Sequence, residues 1–520
     1  MNRIKVISLL VIVIVAVMVP YYAYLYFPNQ SEASLVSNFQ DQIYNTRLGT
    51  ASIFFQNSNN LTSTRIVTSP SSLNFMLGAG VWTTTANASW TTSDWNYYNK
   101  AGFEYEQIWT TWRLIQPSQN RFDFSSVQGQ IDYVKSHNPN AKFFARLQGI
   151  TLDPLIGTSL NDCTPPTFTN FTTSIPSDHS TYLAEVASYV RTLAAKYAGQ
   201  IDVWITPIEI NRIDLAMAAF NMTNYPWTLQ DAIQIDLTIA SAVKQGNPNA
   251  IVILGTSTPL SRLQTNDNTR MDPIDFEWNA ITAGVPFDDV AVETYQFSGD
   301  ITYWYEYLSK MSTLNRPIFI NEAGFSSAGF DYAKLESSTQ AQTDWYNGIL
   351  SLSLAMRSII GFSFLEFKDR TVQERYSQFE TMGLVDLSGE PKPSYYTILS
   401  LLNTLTRQNQ TIPPDGKVTI RALPGNYTIK TPTAQGQFQI IENQTLTYTA
   451  KPIANGQIQL TLQNSATSIS SSSQNSNQET TTQLAVFVTV DNHDITNGNV
   501  KRNEVTELPG KKMVPSVTQT

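Results

Sequence analysis

The hydrophobic residues of this chain fall into three rhythms. The first is one unbroken apolar run at 6–27. As a helix it reaches roughly 33 Å, enough to cross the hydrocarbon core of a bilayer. Arg3 and Lys5 precede it, and no further Lys or Arg appears until Arg47. That asymmetry places the short N-terminus inside and the rest of the chain outside. No small-x-small cleavage signal follows the run, so an uncleaved membrane anchor is expected ahead of a removed signal peptide.

The second rhythm covers about 71–406, where short apolar runs rich in β-branched residues alternate with helical periods. Strands are predicted at 74–81, 104–110, 142–147, 202–206, 251–255, 289–294, 317–321 and 360–366. Between them, Leu183, Val186, Ala187, Val190, Leu193, Ala194 and Tyr197 mark one face of a helix that Gly199 stops. A local echo supports the alternation. Val134-Lys-Ser-His-Asn-Pro-Asn-Ala141 and Val243-Lys-Gln-Gly-Asn-Pro-Asn-Ala250 both end a helix and lead into an apolar strand. Strand and helix in turn predict a parallel sheet with helical crossovers.

In the third rhythm, at 407–463, apolar and polar residues alternate between turn signals at Asp415-Gly416, Pro424-Gly425-Asn426 and Asn455-Gly456. Val418/Ile420, Tyr427/Ile429, Phe438/Ile440 and Ile458/Leu460/Leu462 then face one side of a small C-terminal antiparallel, sandwich-like β domain. Residues 28–70 read as a weakly patterned spacer, and 464–520 as a polar linker and tail with one apolar run at 484–490.

Charged residues make up 14% of the chain, against about 25% in an ordinary soluble domain. Ser, Thr, Asn, Gln and Tyr take their place. A net charge of −9 argues against nucleic acid as a partner and suits a neutral, hydroxyl-rich ligand. Cys163 is the only cysteine, so no internal disulfide can form. His137, His179 and His493 are scattered without ligand spacing, so neither a histidine-based metal site nor a cofactor is expected. Asn-x-Ser/Thr triplets all follow the apolar run, consistent with an exported glycoprotein. A pI near 5.0 suits an acidic exterior.

Two of the predicted strands lead to a glutamate: Trp204-Ile-Thr-Pro-Ile-Glu209 and Pro317-Ile-Phe-Ile-Asn-Glu322. A carboxylate carried at the C-terminal tip of a barrel strand is how parallel α/β barrels build active sites. Two of them suit a reaction that needs one acid and one nucleophile, as glycoside hydrolysis does. Glu106, Glu293 and Glu366 also fall near predicted strand ends, with Arg113, Arg146 or Lys368 available as ion-pair partners. All ten tryptophans lie between Trp82 and Trp345, and Trp82, Trp109 and Trp112 sit nearest the strand ends, where a sugar could stack.

Flanking motifs sharpen this reading. Trp112-Arg-Leu-Ile-Gln-Pro117-Ser-Gln-Asn-Arg-Phe122-Asp-Phe124 resembles the turn after the second strand of the clan A (β/α)₈ glycoside hydrolases. Gly383-Leu-Val-Asp-Leu-Ser-Gly-Glu-Pro-Lys392-Pro-Ser-Tyr395 is similar to the segment that closes that barrel, and Lys196-Tyr-Ala-Gly fits the approach to the fourth strand. The resemblance implies a TIM barrel with Glu209 as acid/base and Glu322 as nucleophile of a retaining hydrolase. It also implies that Tyr295, ending the sixth strand, hydrogen-bonds the nucleophile.

The chain departs from the clan pattern in three places. Ile208 stands where the clan has Asn before the acid/base, leaving Asn211 as the candidate replacement donor to the sugar. No arginine is in register near Gln107. Phenylalanines replace the tryptophan expected on the eighth strand, and Glu293 and Glu366 become further candidates for substrate contact. The expected function is hydrolysis of an extracellular poly- or oligosaccharide. Transglycosylation, and a non-catalytic glycan-binding or envelope protein built on a decayed barrel, are the alternatives.

Overall fold

The computed structural model describes residues 28–56, 63–81, 90–151, 164–169, 179–219, 227–260, 265–328, 338–370 and 379–463. The apolar run at 6–27, the tail at 464–520, Trp82 and Cys163 lie outside these residues. Among the described residues no helix is long and apolar enough to cross a membrane.

Two strands, β1 (Gly49–Phe55) and β2 (Arg65–Leu73), precede a closed barrel of eight parallel strands. Its members are β3 (Met76–Ala79), β4 (Tyr105–Thr111), β5 (Lys142–Gln148), β6 (Val203–Ile205), β7 (Ile251–Leu254), β8 (Asp289–Tyr295), β9 (Ile318–Gly324) and β10 (Ile359–Phe364). Each neighbours the next in chain order, and β10 closes on β3. Every strand predicted from the apolar runs is present, with helices in the connections, so the architecture is a TIM barrel.

Strand alternation divides the side chains between two layers. Leu77, Ile108, Trp204, Val252, Leu254, Val290, Val292 and Ile320 face outward into the main core beneath the helices. Met76, Phe144, Val203, Ile205, Ile253, Ala291 and Phe319 fill the barrel interior, where the rings of Phe144 and Phe319 meet edge to face at 5.3 Å. Threonines sew the rim together. Thr110 Oγ1 donates to Arg146 O, Thr256 Oγ1 to Ala291 O, and Thr206 Oγ1 accepts from Gly255 N.

The repeated Asn-Pro-Asn segment performs the same task twice. Asn138 and Asn247 each cap the helix before them, and Lys135 and Lys244 each reach forward to the carbonyl of the alanine that opens the next strand.

The second sheet differs from expectation in its membership. It has eight strands in the order β11-β2-β13-β14-β16-β15-β1-β12, completed by β11 (Gln408–Thr411), β12 (Lys417–Ala422), β13 (Gly425–Lys430), β14 (Gln435–Ile440), β15 (Thr445–Ile453) and β16 (Gln457–Gln463). It therefore draws on both ends of the chain, and β1–β15 and β14–β16 pair in parallel. Its core gathers alternate residues such as Ala51, Ile53, Ile420, Tyr427, Ile440 and Tyr448. The amides of Gln408 and Gln410 donate to Arg421 O and Thr419 O, stitching the outer strands β11 and β12 to each other.

Residues 28–56 and 63–70 are accordingly structural and do not form a spacer. A helix, Pro28–Gln42, brings Phe39 into the barrel's outer core together with Ile43 just beyond it, and Val36 packs against the same core. Apolar residues are sparse in this segment, but Val36, Phe39 and Ile43 recur at helical spacing, and Ala51, Ile53 and Phe55 at strand spacing.

Candidate active site

Toward the C-terminal ends of the strands the barrel interior changes from apolar to polar. Above Phe144 on β5 comes Arg146, above Ala291 on β8 comes Glu293 and then Tyr295, and beside them Gln107 and Trp109 on β4 occupy positions of the same alternation. All are buried.

Glu322 enters this layer through a fault in the sheet. Val292 pairs with Ile320, yet Glu293 pairs with Glu322, so β9 carries one residue more than β8. The other neighbour shows the same surplus, because Phe362 pairs with Ile320 and Phe364 with Ala323. Phe319 points inward, so unbroken alternation would send Glu322 outward. The bulge at Asn321 turns it into the barrel, a use of bulges typical of the edges of active sites.

Once inside, Glu322 is held by two donors. Arg146 Nη1 donates to its Oε1, and the Tyr295 hydroxyl to its Oε2. The Arg146 guanidinium lies over the Trp109 ring at 5.1 Å. Gln130 fixes Trp109 in turn, accepting from its backbone N–H at 3.0 Å and donating to its carbonyl at 3.1 Å. Burial, then the charges of Glu322, Glu293 and Glu209, push the Tyr295 phenol well above its ordinary pKa, so it remains a donor. Gly324 makes room for that ring, since a Cβ there would sit 2.5 Å from Tyr295 Cε1.

Glu209 follows β6 on a turn and has φ +56°, a left-handed conformation rare for a residue other than glycine, Asn or Asp. Arg212 N–H closes the turn onto Glu209 O at 2.8 Å. Such backbone strain, of order 1–3 kcal/mol, clusters at functional sites. Glu209 is buried and borders a small cleft in which Ile208, Ile213 and Trp227 share the lining with Thr151, Arg212 and Thr228. Ile208, in place of the expected asparagine, packs into the apolar barrel interior.

Several candidates have other roles. Asn211 is fully buried, and its amide is committed to Ser257 Oγ, Ser257 N–H and Met271 O, so it locks two rim loops together and has no amide group left for a sugar. Trp112 is fully buried, stacked on Tyr189 at 5.2 Å, with its indole N–H given to Gln116. It is therefore a packing residue beneath the turn. Glu366 is also fully buried and pairs with Arg370 at 2.7 Å, while burial raises its pKa to about 8. Trp109 reaches the site, but its ring face serves Arg146.

The closing motif proves architectural as well. Lys392 binds Asp369 at 2.7 Å and also donates to Thr381 O and Ser327 Oγ.

The sequence marks Arg146 only as an ion-pair partner for Glu106, Glu293 or Glu366; in the structure its partner is Glu322. The available signal was its position two residues after an inward phenylalanine, where a buried guanidinium requires a carboxylate. Among the described residues no cluster of His, Cys, Asp and Glu fits a metal ion.

No family model and no curated protein matches this chain. Among solved structures it is similar to xylanase 10B from Thermotoga petrophila RKU-1 in complex with xylobiose, at 14% identity over 64% of this chain and 94% of that one, with a TM-score of 0.45. It is similar to the exo-β-1,4-mannosidase Op5Man5 from Opitutaceae bacterium strain TAV5, at 14% identity over 63% and 59% and a TM-score of 0.45. It is likewise similar to GH5_18 from Streptomyces cattleya in complex with GlcNAc, at 14% identity over 64% and 80% and a TM-score of 0.47.

Proposed function

We propose that this chain is a retaining β-glycoside hydrolase acting on a poly- or oligosaccharide. One observation carries the reading: Glu322 is turned into the barrel mouth and fixed there by a guanidinium and a phenol. The two donors bind both of its oxygens and aim it, which suits a nucleophile. Glu209, on its strained turn after β6, is the carboxyl this reading casts as the acid and base.

In the first step a Glu322 oxygen bonds to the anomeric carbon while the bond from that carbon to the leaving oxygen breaks. Glu209 gives its proton to that oxygen. In the second step Glu209 takes a proton from water, the resulting hydroxyl attacks the anomeric carbon, and Glu322 leaves as carboxylate. Arg146 and Tyr295 hold Glu322 in both steps.

The chain acts outside the cell on this reading, tethered by the apolar run at 6–27. The basic residues Arg3 and Lys5 before that run support the orientation.

Purified protein should hydrolyse a member of a panel of 4-nitrophenyl β-glycosides and β-linked oligosaccharides. Proton NMR of the first-formed product should show the anomeric configuration kept. Inversion would remove the nucleophile role from Glu322, and silence across the panel would remove the hydrolase reading.

A further inference from the structure

The backbone that carries Glu209 is held from outside its own turn. At φ +56° the residue sits in a conformation that an L side chain leaves unless its surroundings fix it. The bond from Arg212 N–H to Glu209 O closes the turn but is purely local. The outside support comes from Asn211, two residues on and fully buried. Its amide nitrogen donates to Ser257 Oγ at 3.1 Å and to Met271 O at 2.7 Å, and its amide oxygen accepts from Ser257 N–H at 3.0 Å. Its backbone carbonyl accepts from Met271 N–H at 3.0 Å.

Four bonds thus tie one residue to two anchor points, Ser257 just past β7 and Met271 just before the helix Pro273–Thr282. Both anchors are themselves fixed. Ser257 Oγ donates to Thr258 O at 2.9 Å. Asp272, beside Met271, accepts from Ile274 N–H at 3.1 Å and from the Tyr307 hydroxyl at 2.8 Å. The segment is laced on either side as well. Before the turn, Thr206 N–H bonds to Ile253 O at 3.0 Å, and Gly255 comes so close that a Cβ there would sit 2.4 Å from Thr206 O. After it, Asp214 N–H bonds to Thr269 O at 3.0 Å, and Arg212 grips Asp214 at 2.8 and 2.9 Å.

We infer that Asn211 is a positioning residue for the acid/base: its amide holds Glu209 in the left-handed turn, and so sets the direction in which that carboxyl is presented to the leaving oxygen. The inference rests on the glycosidase reading. Asn211 gives its amide to protein groups, so its influence on the reaction runs through the turn. Proton transfer needs the acid within hydrogen-bond reach of the leaving oxygen, and a misplacement of about 1 Å can cost on the order of 10²-fold. Glu322 is held separately, by Arg146 and Tyr295 on other strands. Loosening the Glu209 turn should therefore impair proton donation far more than nucleophilic attack.

The test compares the full native chain with Glu209→Gln and Asn211→Ala on two glycosides of the same sugar. One releases 4-nitrophenol, which departs without protonation, and the other releases a sugar, which needs the acid. Asn211→Ala should lower kcat/KM by about 10²-fold on the second and much less on the first, in parallel with Glu209→Gln. A variant that merely folds less well loses both rates alike, so the ratio between the two substrates reports positioning and not stability. Equal losses on both, or no loss on either, would overturn the role of Asn211, while the split in Glu209→Gln would leave the acid assignment standing. No split in Glu209→Gln, or no hydrolysis by the native chain, would overturn the glycosidase reading of Glu209 and the inference with it. If melting shows that Asn211→Ala does not fold, Ser257→Ala decides by the same ratio. It removes one hydroxyl from the clamp, and its expected split is smaller but of the same sign.

Discussion

The barrel wall buries carboxyl groups on both its faces, and the two faces treat them in opposite ways. Inside, Glu322 meets a guanidinium and a phenol. On the helix side, Glu106 of β4 points at Tyr98, Asp236 of the helix Leu229–Gly246 meets Thr206 just past β6, and Glu277 is buried on the helix Pro273–Thr282. Burial drives Glu106 and Asp236 well above the ordinary carboxyl range and Glu277 to about 8, with Arg316 only partly offsetting the last. The inner carboxyl has a donor on each oxygen, while burial drives the outer ones toward the neutral acid. A buried glutamate is therefore no guide to chemistry by itself. The groups that meet its oxygens decide whether it can attack.

The largest expected effect breaks the inner arrangement at its centre. Glu322→Gln should lower kcat by about 10³-fold or more on any glycoside the chain hydrolyses, since the amide cannot form the glycosyl ester. Glu209→Gln should cost about 10²–10⁴-fold with poor leaving groups, and much less with 4-nitrophenol, which departs without protonation. Initial rates on matched aryl and sugar glycosides separate the two roles. Equal losses on both leaving groups for Glu209→Gln would remove its assignment as the acid.

The second effect concerns stability. Arg146→Met leaves Glu322 buried without its cation, and should destabilise the fold by about 3–5 kcal/mol in urea denaturation. Combining it with Glu322→Gln should recover much of that loss, because the uncompensated charge is gone. Full additivity would mean that Arg146 acts through packing on Trp109 alone.

These residues also show what could be read from the chain before its structure. The barrel was legible because its strands are short apolar runs, several of them β-branched, alternating with helical periods, and the paired glutamates were legible near the ends of two such runs. Arg146 was not assigned to Glu322, because which residues of β5 and β9 share a face depends on the bulge at Asn321, and a one-residue surplus leaves no mark in the hydrophobic pattern. Asn211 and Trp112 stand near strand ends in sequence, yet loop closure and packing consume their polar groups. The helix Pro28–Gln42 and strand β1 escaped notice because a few well-spaced apolar residues suffice where the partner surface comes from the far end of the chain.

The third effect sets further buried carboxyls against pH. Folding raises the pKa of Glu277 and Glu366 to about 8, of Asp289 to about 7 and of Asp369 to about 6, chiefly by burial. An acid whose pKa rises on folding binds its proton more tightly in the folded state. Its contribution is therefore fully present below about pH 4, where the unfolded chain is also protonated, and is lost as pH climbs through the folded value. Stability should fall between about pH 4 and pH 8. Melting temperatures across that range check it, and a maximum at neutral pH would contradict it.

The smallest effect is the one that most sharpens the contrast. Glu106 is as deeply buried as any group in the barrel wall, and burial drives its carboxyl well above the ordinary range, toward the neutral acid. Replacing one neutral group by another of the same shape removes no charge, so Glu106→Gln should change stability by less than about 1 kcal/mol at pH 5. At pH 8 the same variant should gain relative to the parent, because the glutamine has no proton to lose while the native carboxyl is drawn toward an ionised state that its surroundings oppose. Activity should be unchanged at both pH values. Paired urea titrations of parent and variant at the two pH values give the comparison directly. A loss of several kcal/mol at pH 5 would show that Glu106 is ionised in the fold, and the division between the inner and outer faces of the wall would then fail where it is drawn most simply.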